Sequence, residues 1–237
     1  MLSIPEKILF ILFAAAAMYY GYLGFAKVWR AVARGDKGTA IPRLNGLVRR
    51  FTDGILRTMS QKTVFRARPV ASTFHSFIFY GFVLYLLVNV FDALVGLLPR
   101  SWLAAMDFGI LGNVYRLGAD VLTFLILLGV VYFLIRRFLV KPKTMEWGPR
   151  TQMHEDVKQG SVKRDSLIVG FFILIHVGSR LLAESFMLAG TGHADAWQPF
   201  SSAIANAVGF GDNRMIGWHI FWWLALGLIL AFLPYFP

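Results

Sequence analysis

LIVGFFILIHVGSRLLAESFML, residues 167–188, carries three ionisable side chains inside a run that is otherwise apolar or small. At about 1.5 Å of helical rise per residue, such a run reaches across the roughly 30 Å hydrocarbon core of a bilayer. Read as a helix, it places His176, Arg180 and Glu184 within a membrane, four residues apart and therefore on one face. Ionisable groups at that depth are expensive to retain and mark function more often than filler.

Four further runs of similar character lie at 8–28, 72–98, 117–136 and 216–236, in a chain that is 57% apolar. A water-soluble domain of 237 residues does not carry five. The fold class is therefore all-α: an integral membrane bundle of five transmembrane helices. Glu6 and Lys7 precede the first run, and no clear small-x-small cleavage site leads out of it, so it reads as a span rather than a signal peptide.

The net charge of +11 could suggest nucleic acid, but its distribution points to a membrane surface. Eleven of the 24 Lys and Arg residues fall within 27–68 and eight within 136–164, while the other two connections are nearly bare. Alternation of rich and poor loops is the positive-inside pattern, with anionic lipid as the simplest partner. It predicts an N-terminus outside and a C-terminus on the cytoplasmic side of a bacterial or archaeal inner membrane. Within the first inner loop, residues 42–56 alternate Leu44, Leu47, Val48, Phe51 and Ile55 with Arg43, Arg49 and Arg50. That pattern predicts an amphipathic helix on the inner surface, able to dock a cytoplasmic partner. The absence of cysteine excludes disulfides, thiolate metal ligands and an iron–sulfur cluster held by this chain alone. No phosphate-binding loop, dinucleotide fingerprint, zinc-protease motif or serine-nucleophile elbow is present.

Three of the five histidines, His75, His176 and His219, fall within spans. Packed, hydrogen-bonded imidazole is the plain reading of each. Together with Gly21, Gly24 and Gly81, which let a helix or a flat cofactor approach closely, they make haem b the natural cofactor. Helical rise fixes their depths. His75 is near the start of the second span and His219 near the start of the fifth, and these run in opposite directions. The two histidines therefore sit at opposite faces and cannot ligate one iron. His176 lies near the middle, roughly 9 Å from either level. Arg180, one turn from His176, would meet a haem propionate or pair with Glu184. Trp218, Trp222 and Trp223 suit an interface belt, and His154 beside Glu155 and Asp156 reads as solvated surface.

The stretches HSFIFYGF from His75, WH at Trp218 and His219, and LPY from Leu233 carry a resemblance that runs through essentially the whole chain. The chain resembles the gamma-subunit cytochrome b of respiratory nitrate reductase. It is more similar still to the membrane domain of heterodisulfide-reductase-related iron–sulfur oxidoreductases, which include electron-transfer-flavoprotein:menaquinone reductases. The resemblance implies one or two b haems, with His75 in an inner pair and His219 in an outer pair. Where that pattern has a second histidine on the second span, this chain has Tyr85: either His176 substitutes as the outer ligand, or only the inner haem is kept, or His219 serves the quinone site. The inner mate of His75 would fall at or beyond Pro237. The resemblance also implies a cytoplasmic iron–sulfur domain or subunit following the 1–237 membrane domain, with an electron-transfer flavoprotein as a candidate donor. The implied activity is electron transfer between that donor and menaquinone or ubiquinone, with Tyr85, Asp120, Glu184 and His193 as candidate quinone or proton contacts near the outer level. The competing readings are a cofactor-free membrane anchor of a soluble enzyme and a transporter subunit using His176, Arg180 and Glu184.

Overall fold

A chain in lipid must satisfy its own backbone hydrogen bonds, so each long apolar run closes into a helix. The computed structural model describes residues 2–34, 46–99, 101–102, 108–143, 147–148 and 150–235. In chain order the helices are α1 (Ile4–Ala33), α2 (Leu47–Ser60), α3 (Lys62–Ala67), α4 (Pro69–Leu97), α5 (Gly109–Leu134), α6 (Glu155–Lys158), α7 (Ser161–Thr191), α8 (Pro199–Val208) and α9 (Met215–Phe232). α5 continues into a π-helical turn, Ile135–Val140, and a 3₁₀ turn, Leu233–Tyr235, follows α9. Five segments are long and apolar enough to cross a membrane: Ile4–Ala33, Pro69–Leu97, Gly109–Val140, Ser161–Thr191 and Asp212–Tyr235.

Local chemistry sets several ends. Ser3 and Glu6 form a capping box at the start of α1. Gly192, at φ +88°, closes α7 in the left-handed region that glycine tolerates. Two boundaries differ from expectation. α5 starts at Gly109, eight residues before the expected 117, because polar Asn113 and Arg116 lie in its first turns and interrupt the apolar run without interrupting the helix. The connection after α7 holds a helix of its own, α8, which is too short and too polar at Ser201 and Ser202 to register as a span.

Close approaches at glycines lock the bundle. A β-carbon at Gly81 would overlap Ile126 of α5, one at Gly96 would overlap Trp222, one at Gly217 would overlap Phe186, and one at Gly190 would lie 2.5 Å from Met215 Sδ. These contacts set α4 antiparallel to α5, and α7 antiparallel to α9. α1 lies along α9, with Phe10 on Trp222 at 4.9 Å between ring centroids and Gly21 against Leu233. The two basic loops thus emerge at one end, here the basic end, and α8 lies at the other. α1 buries only Phe10, Ala17 and Gly21.

Trp218 and Trp222 are 3% and 2% exposed, not a belt at the bilayer boundary. Each fills space between α4, α7 and α9, and the Trp222 indole Nε1 donates to the Asp92 carbonyl at 2.8 Å. A buried indole takes this role when it finds an acceptor for its N–H. The expected amphipathic helix runs over Leu47–Ser60 rather than 42–56, and Arg43 lies outside the described residues. Its Leu47, Phe51 and Ile55 are all exposed, as an apolar stripe resting on a membrane surface would be. Arg49 stands 3.9 Å from Asp53.

Candidate functional site

The α8 half of the bundle contains a polar layer assembled by four helices. α4 supplies Tyr85 and Asp92, α5 supplies Asp120 and Thr123, α7 supplies His176, Arg180 and Glu184, and the α8 N-cap supplies Gln198. Arg180 Nε donates to Asp92 Oδ2 at 3.1 Å, and Arg180 Nη2 lies 3.9 Å from Glu184 Oε2. Gln198 Nε2 donates to Glu184 Oε1 at 2.7 Å. Arg180 is 5% exposed, and its Nη1 has no partner among the described residues. Buried charges are tolerated when paired in this way, and the remaining donor calls for an explanation.

His176 sits one turn from Arg180 at the mid-bundle level. It is 2% exposed, its Nδ1 lies 2.9 Å from the Ala225 carbonyl, its ring stacks on Phe172, and the edge of Tyr85 approaches it at 6.0 Å. His219 leaves α9 toward α1, where its Nδ1 meets Glu6 Oε1 at 2.9 Å. Trp223 Nε1 donates to the same oxygen, and Ser3 donates to the other through both N and Oγ. Six residues of helix separate His219 from the Ala225 that receives His176, about 9 Å of rise and most of two turns. The two imidazoles are therefore not brought to one slot. His75 is exposed near the start of α4, at the basic end.

The remaining sequence-derived residues have specific placements. Asp120 accepts from Phe200 N at 2.7 Å, Ser201 N at 3.1 Å and Ser201 Oγ at 2.6 Å, and so caps α8. The Tyr85 hydroxyl pairs with Thr123 Oγ1 at 2.6 Å. His193 is exposed, with its Nδ1 beside the Thr191 carbonyl. Gly81 and Gly21 receive Ile126 and Leu233, and Gly24 is half-buried. Among the described residues no group of three or more His, Cys, Asp or Glu converges as a metal site.

Haem needs a free imidazole nitrogen and room for its plate. His219 fits the donor chemistry: a carboxylate on Nδ1 is the outer partner that orients a metal-binding imidazole. His75 offers an unencumbered ring. His176 does not fit, because Phe172, Tyr85 and the α9 backbone enclose it. Two cavities bracket the layer. The smaller, about 30 Å³, is lined by Asp92, Arg180, Glu184, Trp218 and Trp222. The larger, about 410 Å³, opens at the basic end between α4, α5 and α7, with Ile78, Val130, Phe133, Arg137, Ser166 and Ile173 in its wall. Arg137 donates to the Val162 carbonyl through Nη2, and its Nε is buried without a partner among the described residues.

Asp92 and Glu6 were not singled out in the sequence. The available signal for Asp92 was its place as the one acid in the apolar run 72–98. Glu6 reads as a cap from its spacing to Ser3, and nothing local reveals that it also receives His219 from 213 residues away.

The chain is 25% identical over 241 aligned positions to a protein described as EtfAB:quinone oxidoreductase from Syntrophomonas wolfei subsp. wolfei, a distant relationship that covers 96% of this chain. The chain spans 30% of the length of that relative. No family model matches, and no solved structure matches.

Proposed function

We propose that this chain is the membrane part of a quinone-linked electron-transfer oxidoreductase, and that the quinone ring enters the 410 Å³ cavity at the basic end. The cavity carries the reading. Its volume falls in the range of small-molecule sites, about 300–1,000 Å³, its walls are mostly apolar, and Arg137 in the wall supplies a guanidinium for a carbonyl oxygen. The distant quinone oxidoreductase relative supports the same substrate class. Among the candidate outer-level contacts, Tyr85 and Asp120 are bonded to protein partners, Glu184 borders only the small cavity and His193 stands exposed, so the reading puts the quinone at the other end.

The positive-inside pattern supports placing the basic end in the cytoplasm. Arg49 and Arg50 of α2 would then face an iron–sulfur domain or flavoprotein donor there. A b haem would carry single electrons between that donor and the quinone. His219 and His75 are the residues of this chain that would hold it, each needing a second ligand from outside the described residues. Glu6 fixes the His219 ring so that Nε2 is the nitrogen presented. Arg137 orients the quinone, and Ile78, Val130 and Ile173 exclude water from around the ring.

The test is rapid mixing of the chemically reduced full-length protein with a short-chain quinone. Quinol formation that slows in Arg137→Gln is expected, and no quinol from folded protein would overturn the reading. The filling of the tight glycine gaps by Ile126, Trp222, Phe186, Met215, Leu134 and the Phe74 carbonyl favours a second reading, a cofactor-free anchor. A reduced-minus-oxidised visible spectrum separates the two. A b-type signal lost in His219→Ala or His75→Ala supports the haem-bearing carrier, and a colourless, haem-supplied, folded protein supports the anchor.

A further inference from the structure

We propose that Asp92, Arg180 and Glu184 form an intramembrane proton-binding site that holds one exchangeable proton, on Glu184, beside a bound water.

The charge count comes first. Two carboxylates share one guanidinium, and arginine stays charged under protein conditions. The groups facing this cluster do not offset the surplus. α4 contributes Tyr85 and Asn89, α5 contributes Tyr115 and the already bonded Asp120, α8 contributes Gln198, and α9 contributes Trp218 and Trp222. α7 also contributes His176, whose buried ring, held by one hydrogen bond from Nδ1 to the Ala225 carbonyl, suits the neutral imidazole. Arg116, another cation at this end, is engaged by Asp195 at 2.8 Å. A lone surplus carboxylate within a bilayer is costly, and one proton removes the surplus.

Geometry then assigns the proton. Asp92 accepts the close hydrogen bond from Arg180 Nε, which suits an ionised carboxylate. Glu184 is 0.8 Å more distant from the guanidinium, 3.9 against 3.1 Å, and its Oε1 accepts from the neutral Gln198 amide. Glu184 Oε2 is therefore the oxygen that carries hydrogen.

The cavity supplies the second, independent observation. Its volume of about 30 Å³ exceeds the roughly 10–15 Å³ that admits a water. Arg180 Nη1, buried and without a partner among the described residues, belongs to a residue that lines it. A water there would accept from Nη1 and from a protonated Glu184, and donate to Asp92. That gives it three partners, the usual number for a buried water. A guanidinium in the wall repels a metal cation, and two carboxylates repel an anion, so a proton and a water are the ligands that fit. When the proton leaves, Glu184 becomes a carboxylate and the water takes up H⁺, with no bond to carbon changed. The site stands apart from the quinone reading. Its use there, as charge compensation for an electron held on a haem at the His219 end, rests on that reading.

Infrared difference spectroscopy of the full-length protein in lipid tests the proposal. At neutral pH the expected result is a protonated-carboxyl C=O band that shifts in D₂O. Glu184→Gln loses the band. Asp92→Asn also loses it, because the single remaining carboxylate then ionises against Arg180. Glu6→Gln keeps it. A wild-type spectrum without the band, or a band undiminished in Glu184→Gln, overturns the proposal. Thermal unfolding of each variant identifies loss through misfolding, and the near-isosteric Glu184→Gln is expected to melt within a few degrees of wild type. Failure of the quinone assay with the band intact sinks the quinone reading and leaves the proton site standing.

Discussion

The two ends of this bundle solve opposite problems. At the α8 end, polar groups are packed inside and tied to one another: Asp120 holds the start of α8, Gln198 holds Glu184, and Asp92 holds Arg180. At the basic end, helices part around an apolar cavity, α2 lies exposed, and Arg137 keeps a nitrogen in reserve. In lipid there is little apolar driving force between helices, so close packing and internal hydrogen bonds decide where a bundle is tight. This chain concentrates its hydrogen bonds at one end and leaves the other free to receive something.

The comparison is most exposed at Asp120. Asp120→Ala removes three acceptor contacts at a fully buried position and strands the first amides of α8, so a loss of about 3 kcal/mol is expected in detergent unfolding. A change below a few tenths would show that the α8 end is not the rigid half. Next, Gly81→Ala forces a methyl group into Ile126, and a loss of about 2 kcal/mol is expected from overpacking. Gly54→Ala on exposed α2 has open space around it and should be neutral or slightly stabilising in the same melt. Ile173→Trp fills the basic-end cavity from its α7 wall. It should raise the quinone KM about tenfold, roughly 1.4 kcal/mol, with the infrared band of Glu184 unchanged. An unaltered KM would move the quinone elsewhere. Smallest of all, Arg49→Ala breaks an exposed, long ion pair and should change stability by no more than about 0.5 kcal/mol.

The spans, their number and the opposite levels of His75 and His219 were legible because run length and helical rise are properties of any helix in lipid. Facing was not. α4 and α9 are apolar nearly all round, so no polar stripe tells which side meets a neighbour, and the stripe on α7 does not say which helix faces it. That is why Trp218 and Trp222 read as boundary residues in the sequence yet are core, and why the sequence offers Arg180 only Glu184 while the closer Asp92 comes from α4. The pairing of Glu6 with His219 depends on α1 lying along α9, a long-range fact with no local trace.

The π-helical turn Ile135–Val140 widens the last turn of α5, and Lys141, at φ +47°, ends it. A π turn accommodates one residue more than an α turn, which shifts the angular phase of every side chain after it by about 100°. Arg137 lies inside that widened turn and in the cavity wall, so the mouth of the cavity is built on backbone that is already off the ordinary pitch. Excising Leu139 would return the turn to α-helical spacing and rotate Lys141, which follows it, around the axis while leaving the guanidiniums before it attached to α5.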